Sequence, residues 1–237
     1  MKDEDWLKYY NKFPGWIDEE AINSGWSIQR FWQRLKIEEI KKRVEGKNIL
    51  DIGCGSGVLC RSITSSNRKV IGIDISKNAV RYSKSKNNGK YIIASASYLP
   101  FKKDIFDCII CSEVIEHLPQ PDKSIKEASF CLKKNGKLII TTPNYGISLW
   151  KLYEFFWDNL GKGRDYRFQH ISKFNYKKLK EIIEENYFGD ISIKSFFILS
   201  PLLSFFNEKF AKRIFRIESK LMKNKGCILI CDSKKIY

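Results

Sequence analysis

The sequence of 237 residues predicts an α/β protein with a mostly parallel sheet covered by helices on both faces. Three observations predict this. Short, nearly all-apolar runs recur along the chain: NILDIG, KVIGID, FDCIIC and GKLIITT. Segments of helical character alternate with them, and the first run ends in glycines. Strands apolar on both sides belong to sheets buried on both faces, and alternation with helices is the pattern of parallel βαβ units.

The elements follow in order. Residues 1–45 are mostly helical in pattern and carry Trp6, Trp16, Trp26 and Trp32, so they are expected to form an aromatic helical lid. The main domain is expected over 46–237. Strands fall at 48–53, 69–74, 91–95, 106–111 and 136–142, with helices at 57–66, 76–87 and 121–132. Past residue 143 the rhythm changes. Residues 146–170 are aromatic and interrupted by glycines, and read as an insertion. An amphipathic helix is expected at 176–188, and further strands at 190–198 and 227–233.

A second insertion spans about 201–225. Phe206, Phe210, Ile214, Ile217 and Leu221 form one helical stripe, and Lys209, Arg213, Arg216, Lys220 and Lys223 run beside it. Such a helix either packs its apolar stripe on the domain and solvates its charged edge, or contacts a membrane surface or partner.

The totals narrow the classes. A net charge of +16 suits an anionic partner, although a chain rich in Lys, Ile and Asn reaches it by composition alone. Seven cysteines cannot all pair internally. Cys108 and Cys111 stand three apart on an expected strand, so they point to opposite faces and read as buried thiols, not a metal knuckle. No apolar run is long enough to span a bilayer, and MKDEDWLKYY lacks a signal-peptide core. The chain is read as cytoplasmic, with peripheral membrane contact left open through 201–225.

The first strand ends in DIGCGSG. Glycines there let the backbone turn sharply and approach a ligand, and the next helix presents free N–H groups to negative charge. The spacing G-x-G-x-G differs from the dinucleotide fingerprint G-x-G-x-x-G. Asp74 ends the second strand beside this loop, where a carboxylate can accept both hydroxyls of a ribose.

LDIGCGSG, then GIDIS, LPF at 99–101, FD at 106–107 and EVIEHL at 113–118 resemble the class I S-adenosylmethionine-dependent methyltransferases, ubiquinone-type O-methyltransferases above all. The resemblance implies a Rossmann-like, doubly wound, seven-stranded sheet with the last strand antiparallel, and S-adenosyl-L-methionine as cofactor. It implies that Gly53, Cys54, Gly55 and Gly57 form the backbone cradle and that Asp51 anchors the amino end of the methionine moiety. Asp74 and Ile75 would lie at the ribose, and Ser95 and Ala96 at the adenine. The family usually places an acidic residue at the adenine position. Ser95 bonds more weakly, so binding is expected to be intact or weakened.

TPNY (142–145) resembles the N-P-P-Y signature of amino-group methyltransferases, but it follows the fifth strand instead of the fourth, which argues against an amide or adenine acceptor. Glu113-x-x-Glu116-His117 does follow the fourth strand. In a helical turn these three would share a face near the substrate. His117 and Glu113 are therefore the candidate catalytic residues. Glu113, Glu116, His117 and His170 are also a candidate ligand set for a divalent metal, Mg²⁺ or Mn²⁺. A short helix start with acids near its positive end is the plainer alternative. Small-RNA 2′-O-methyltransferases of the Hen family also carry E-x-x-E-H, but this chain lacks their paired-histidine pattern, having only Arg164, Asp165 and His170 nearby. The expected substrate is thus a small or lipid-linked hydroxyl compound, with nucleic acid second.

Overall fold

The computed structural model describes residue 11 and residues 27–160, 169–221 and 224–237. Trp6, Trp16, Trp26, Arg164, Asp165 and Lys223 lie outside the described residues. A seven-stranded sheet runs in the order β3-β2-β1-β4-β5-β7-β6. Its strands are β1 (Asn48–Ile52), β2 (Lys69–Asp74), β3 (Lys90–Ile93), β4 (Phe106–Ser112), β5 (Leu132–Pro143), β6 (Phe188–Phe196) and β7 (Ile228–Lys235). The first five pair in parallel, and β7 runs antiparallel to both β5 and β6.

The helices are α1 (Ser27–Lys41), α2 (Val58–Ile63), α3 (Lys77–Lys86), α4 (Pro121–Cys131), α5 (Ser148–Leu160), α6 (Tyr176–Glu184), α7 (Ser200–Leu203) and α8 (Glu208–Leu221). Alternate strand residues feed two cores, one on each sheet face. Ile49, Cys108 and Ile110 enter one core, and Leu50, Ile109 and Cys111 the other. The two cysteines of C-x-x-C thus point apart, and every cysteine is buried and free.

The sheet order reverses beside β1, where β2 lies to one side and β4 to the other. Ligands of open α/β sheets bind at such a switch point, beyond the carboxyl ends of the strands. Both the DIGCGSG loop and the E-x-x-E-H segment leave the sheet there.

Two expectations need correction. The third strand stops at Ile93, and Ser95 instead bridges back to Tyr98. The stripe Phe206, Phe210, Ile214, Ile217 and Leu221 is not the buried face of the helix: Ile214 is half-buried and the other four side chains are exposed. The buried row of α8 is Ala211, Phe215 and Glu218. Glu218 accepts bonds from the Leu199 and Ser200 amides at 2.6 and 3.0 Å, so a charged residue occupies the inner face to satisfy the start of α7. Phe206 precedes the helix.

The last part of the expected N-terminal lid is α1. Its Phe31, Trp32 and Leu35 belong to the core, and Trp32 stacks on Phe197 with ring centroids 4.3 Å apart.

Candidate active site

The glycine loop turns through left-handed backbone at three positions, with φ of 70° at Gly53, 52° at Gly55 and 73° at Gly57. A Cβ at Gly53 would lie 2.3 Å from Val114 Cγ2, so the loop after β1 can meet the loop after β4 only through glycine. Asp74 accepts from the Gly55 amide at 2.9 Å and the Ser76 amide at 2.8 Å. Each carboxylate oxygen keeps a further lone pair, so the group can still receive hydroxyl donors. Cys54 is buried, and its amide donates to Ile73 O at 2.9 Å, tying the cradle to the end of β2.

Asp51 is buried, and among the described residues its hydrogen-bond donor is the Cys60 thiol at 3.1 Å. A thiol is a weak donor. Burial therefore pushes the Asp51 carboxyl up to about 7, against the opposing Cys60 bond and with help from the Asp74 charge. A buried carboxylate held this poorly suits a cationic ligand group. The residues fit S-adenosylmethionine on these grounds: a backbone cradle closed to side chains, an under-satisfied carboxylate inside it, and Asp74 at its rim. Ile75 and Ala96 are half-buried near the same strand ends, and the Ser95 hydroxyl accepts from the Ser97 amide at 3.2 Å.

The segment after β4 does not form the regular helical turn that would bring Glu113, Glu116 and His117 to one face. Glu113 sits in left-handed backbone, φ 56°, and only Ile115–His117 turn, as a 3₁₀ helix. The register that pairs Ser112 with Thr141 sets Glu113 against β5. Its amide donates to Thr141 O at 2.9 Å, and its carboxylate accepts from Thr141 Oγ1 at 2.9 Å. Glu113 is thereby tied to β5 and is not one of the clustered potential ligands, which are the other three residues.

Glu116, His117 and His170 do come together, with one potential ligand atom from each all within 4.8 Å of one another. Glu116 is buried. Its Oε2 accepts from Thr142 Oγ1 at 3.1 Å, while its Oε1 has no hydrogen-bond partner among the described residues. Burial, reinforced by the Glu113 charge, raises its carboxyl well above the usual range. His117 Nδ1 lies 3.0 Å from Gln169 O. A carbonyl only accepts, so the proton sits on Nδ1 and Nε2 is the acceptor nitrogen. Burial lowers the His117 pKa to about 4 and that of His170 to about 3, so both rings are neutral near pH 7.

His170 reaches this place because its segment is strapped down: the Ser172 amide donates to Glu116 O at 2.9 Å and Ser172 Oγ to Leu118 O at 2.8 Å. The two imidazole centroids are 4.9 Å apart. Tyr145 OH donates to Glu154 Oε1 at 2.6 Å and lies 2.6 Å from His170 Nδ1. With the hydroxyl proton committed to Glu154, Nδ1–H of His170 is the donor to Tyr145. A cleft of about 600 Å³ opens beside this chain, lined by Tyr145, Glu154, Phe174, Lys151 and Lys173.

Tyr145 and Glu154 were not singled out as site residues by sequence reasoning. Tyr145 stands in the TPNY stretch, set aside because of its place after β5. Glu154 carried a usable signal: it lies i+4 from Trp150 on the buried side of an aromatic helix, where a carboxylate is costly without a partner.

Comparison with known proteins agrees with this geometry. Residues 26–192 match the family described as a methyltransferase domain. The uncharacterized protein MJ1123 of Methanocaldococcus jannaschii is 31% identical over 75% of this chain and 76% of its own length. The ubiquinone biosynthesis O-methyltransferase of Pelagibacter ubique is 35% identical over 60% of both chains. That of Coxiella burnetii is 33% identical over 47% of this chain, which spans 50% of that relative's length. An S-adenosylmethionine-dependent methyltransferase of Thermotoga maritima superposes with a TM-score of 0.73, at 17% identity, covering 97% of this chain and 99% of that one; it shows the shared fold. The strand order, the glycine cradle and these matches lead to one statement: the chain belongs to the methyltransferase-domain family, as a class I S-adenosylmethionine-dependent methyltransferase.

Proposed function

We propose that the enzyme transfers its methyl group to a hydroxyl of a small or lipid-linked molecule, with His117 as the base. The observation that carries this reading is the His117 imidazole: neutral, tautomer set by Gln169, and placed just past β4 at the switch point. Bound S-adenosylmethionine supplies an activated sulfonium methyl. The protein's part is to hold the cofactor in the cradle, align the acceptor oxygen and take its proton.

In this reading His117 Nε2 accepts the hydroxyl proton. Charging the ring would favour ionisation of Glu116 in the same cluster, whose carboxyl burial otherwise holds toward its neutral form, and that ionisation would offset part of the desolvation that disfavours the imidazolium. The Tyr145–Glu154 pair orients His170 beside it. Alignment in a closed site can supply roughly 7–11 kcal/mol and a positioned base about 10²–10⁴ in rate. The ubiquinone O-methyltransferases among the relatives support oxygen as the acceptor atom.

A second reading has its own support. Glu116, His117 and His170 would hold a divalent cation, and the buried Glu116 Oε1, without a hydrogen-bond partner among the described residues, is an atom such a cation would satisfy. Two imidazoles and one carboxylate favour Mn²⁺ or another transition metal over Mg²⁺, and the ion would lower the pKa of the hydroxyl. Glu113 would not be a direct ligand in this arrangement. Mass spectrometry of the product formed from labelled cofactor tests both readings. A methyl ether formed in the presence of chelator supports the base. An ether formed only with added Mn²⁺ supports the metal, and methylated nitrogen or carbon contradicts both.

A further inference from the structure

We propose that the α7–α8 insertion is a docking surface for an anionic lipid bilayer. Neighbouring antiparallel strands need only a tight turn between them, yet residues 197–227 separate β6 from β7, so the sheet does not require this segment. The segment presents Leu199, Phe205, Phe206, Phe210, Ile217 and Leu221 as exposed side chains, with Phe206 84% and Leu221 68% accessible. Phe205 and Phe206 pack edge to face with ring centroids 5.5 Å apart, and large apolar side chains gathered in the open in this way mark a contact surface.

At 3.6 residues per turn, three rows follow one another around α8. Ala211, Phe215 and Glu218 face the domain. Phe210, Ile214, Ile217 and Leu221 form the next row; Ile214 is half-buried and the other three are exposed. Lys209, Arg213, Arg216 and Lys220 form the third, also exposed. No free carboxylate interrupts it among the described residues: Glu218 is bonded inside, and Glu208 pairs with Arg30 and Arg34. An apolar row bordered by a basic row is the signature of a helix lying in a lipid interface.

The basic row selects the occupant. A two-fold contact between copies would bring identical lysines and arginines together, which is unfavourable, whereas an anionic headgroup layer complements them. The insertion is also held firmly in place. Trp32 of α1 stacks on Phe197, Phe215 lies 5.3 Å from Phe197, and Tyr153 of α5 donates to Ile198 O at 2.7 Å. The helix α5 that lines the cleft thus abuts the base of the insertion.

Co-sedimentation of the full chain with phosphatidylcholine vesicles, with and without phosphatidylserine, tests the surface. Binding is expected with phosphatidylserine, falling as salt is raised. The triple variant Lys209→Gln, Arg213→Gln, Arg216→Gln should partition roughly a hundredfold less, at about fivefold per charge. Phe206→Ser with Phe210→Ser should lose at least about tenfold. A control that neutralises Lys102, Lys177 and Lys180 should lose far less. All these side chains are exposed, and unchanged circular dichroism and cofactor affinity verify folding. Equal binding to both vesicle types, equal losses in the control, or no binding would overturn the proposal. So would a vesicle-free dimer abolished by Phe206→Ser. The outcome does not depend on which acceptor is methylated.

Discussion

The Asp51→Asn variant probes the cofactor cradle through protons. In the free protein burial holds this carboxyl at about 7 instead of 3.8, so ionising it costs about 4 kcal/mol at ~1.36 kcal/mol per pH unit. The ammonium of the methionine moiety would bind the ionised form. Affinity should therefore follow the ionised fraction, falling about tenfold from pH 8 to pH 6 and about tenfold more by pH 5. Above about pH 8 the cofactor's own amino group loses its proton and affinity falls again. Near pH 6, calorimetry in buffers of different ionisation heat should register about one proton released per cofactor bound. In Asp51→Asn the acid-side slope should vanish, with affinity at pH 8 about 10–150-fold weaker for a lost charged hydrogen bond. Stability moves the other way. The folded pKa exceeds the unfolded one, so the contribution is full below 3.8 and lost as pH rises through about 7. The variant should thus melt several degrees higher at pH 8. A dissociation constant that is flat from about pH 5.5 to 7.5, with no proton release, would refute the assignment of Asp51.

Three further outcomes follow. His117→Ala should reduce methyl transfer by roughly 10²–10⁴ while cofactor affinity stays within about twofold; a fall confined to affinity would remove the ring from the acceptor side. Gly53→Ala combines left-handed backbone, about 1–2 kcal/mol, with a Cβ 2.3 Å from Val114 Cγ2, about 1–3 kcal/mol more. The melting temperature should drop by roughly 5–15 °C, and adding Val114→Ala should recover only the contact part. His170 has a folded pKa of about 3 against 6.5 unfolded, so its contribution is present above 6.5 and lost as pH falls toward 3. Between pH 6.5 and 5 this amounts to about 2 kcal/mol, and His170→Gln should flatten the denaturation profile in that window by that much.

Much of the fold was legible because the signals are local. A short apolar run ending in glycine is both a buried strand and its exit turn, and the register Ile49 to Val70 to Cys108 then follows from packing. The site was legible only in part. His117 and His170 stand 53 positions apart, and what joins them is a backbone strap from Ser172 to Glu116, which no side-chain pattern encodes. Glu113 was misplaced because a left-handed residue after the strand breaks the helical count that would have put it with Glu116. The stripe on α8 was ambiguous for a different reason. Apolar residues spaced three and four apart serve a core and a lipid surface equally, and the true inner row was hidden by a small residue and a glutamate.

The most direct test of the account is to incubate the protein with methyl-labelled S-adenosylmethionine and whole-cell extract, then separate lipid, small-molecule, RNA and protein fractions. The same reaction is run with His117→Ala and with chelator. The account predicts label in the lipid or small-molecule fraction, lost with His117→Ala. Label in RNA, or label undiminished by the variant, would contradict it.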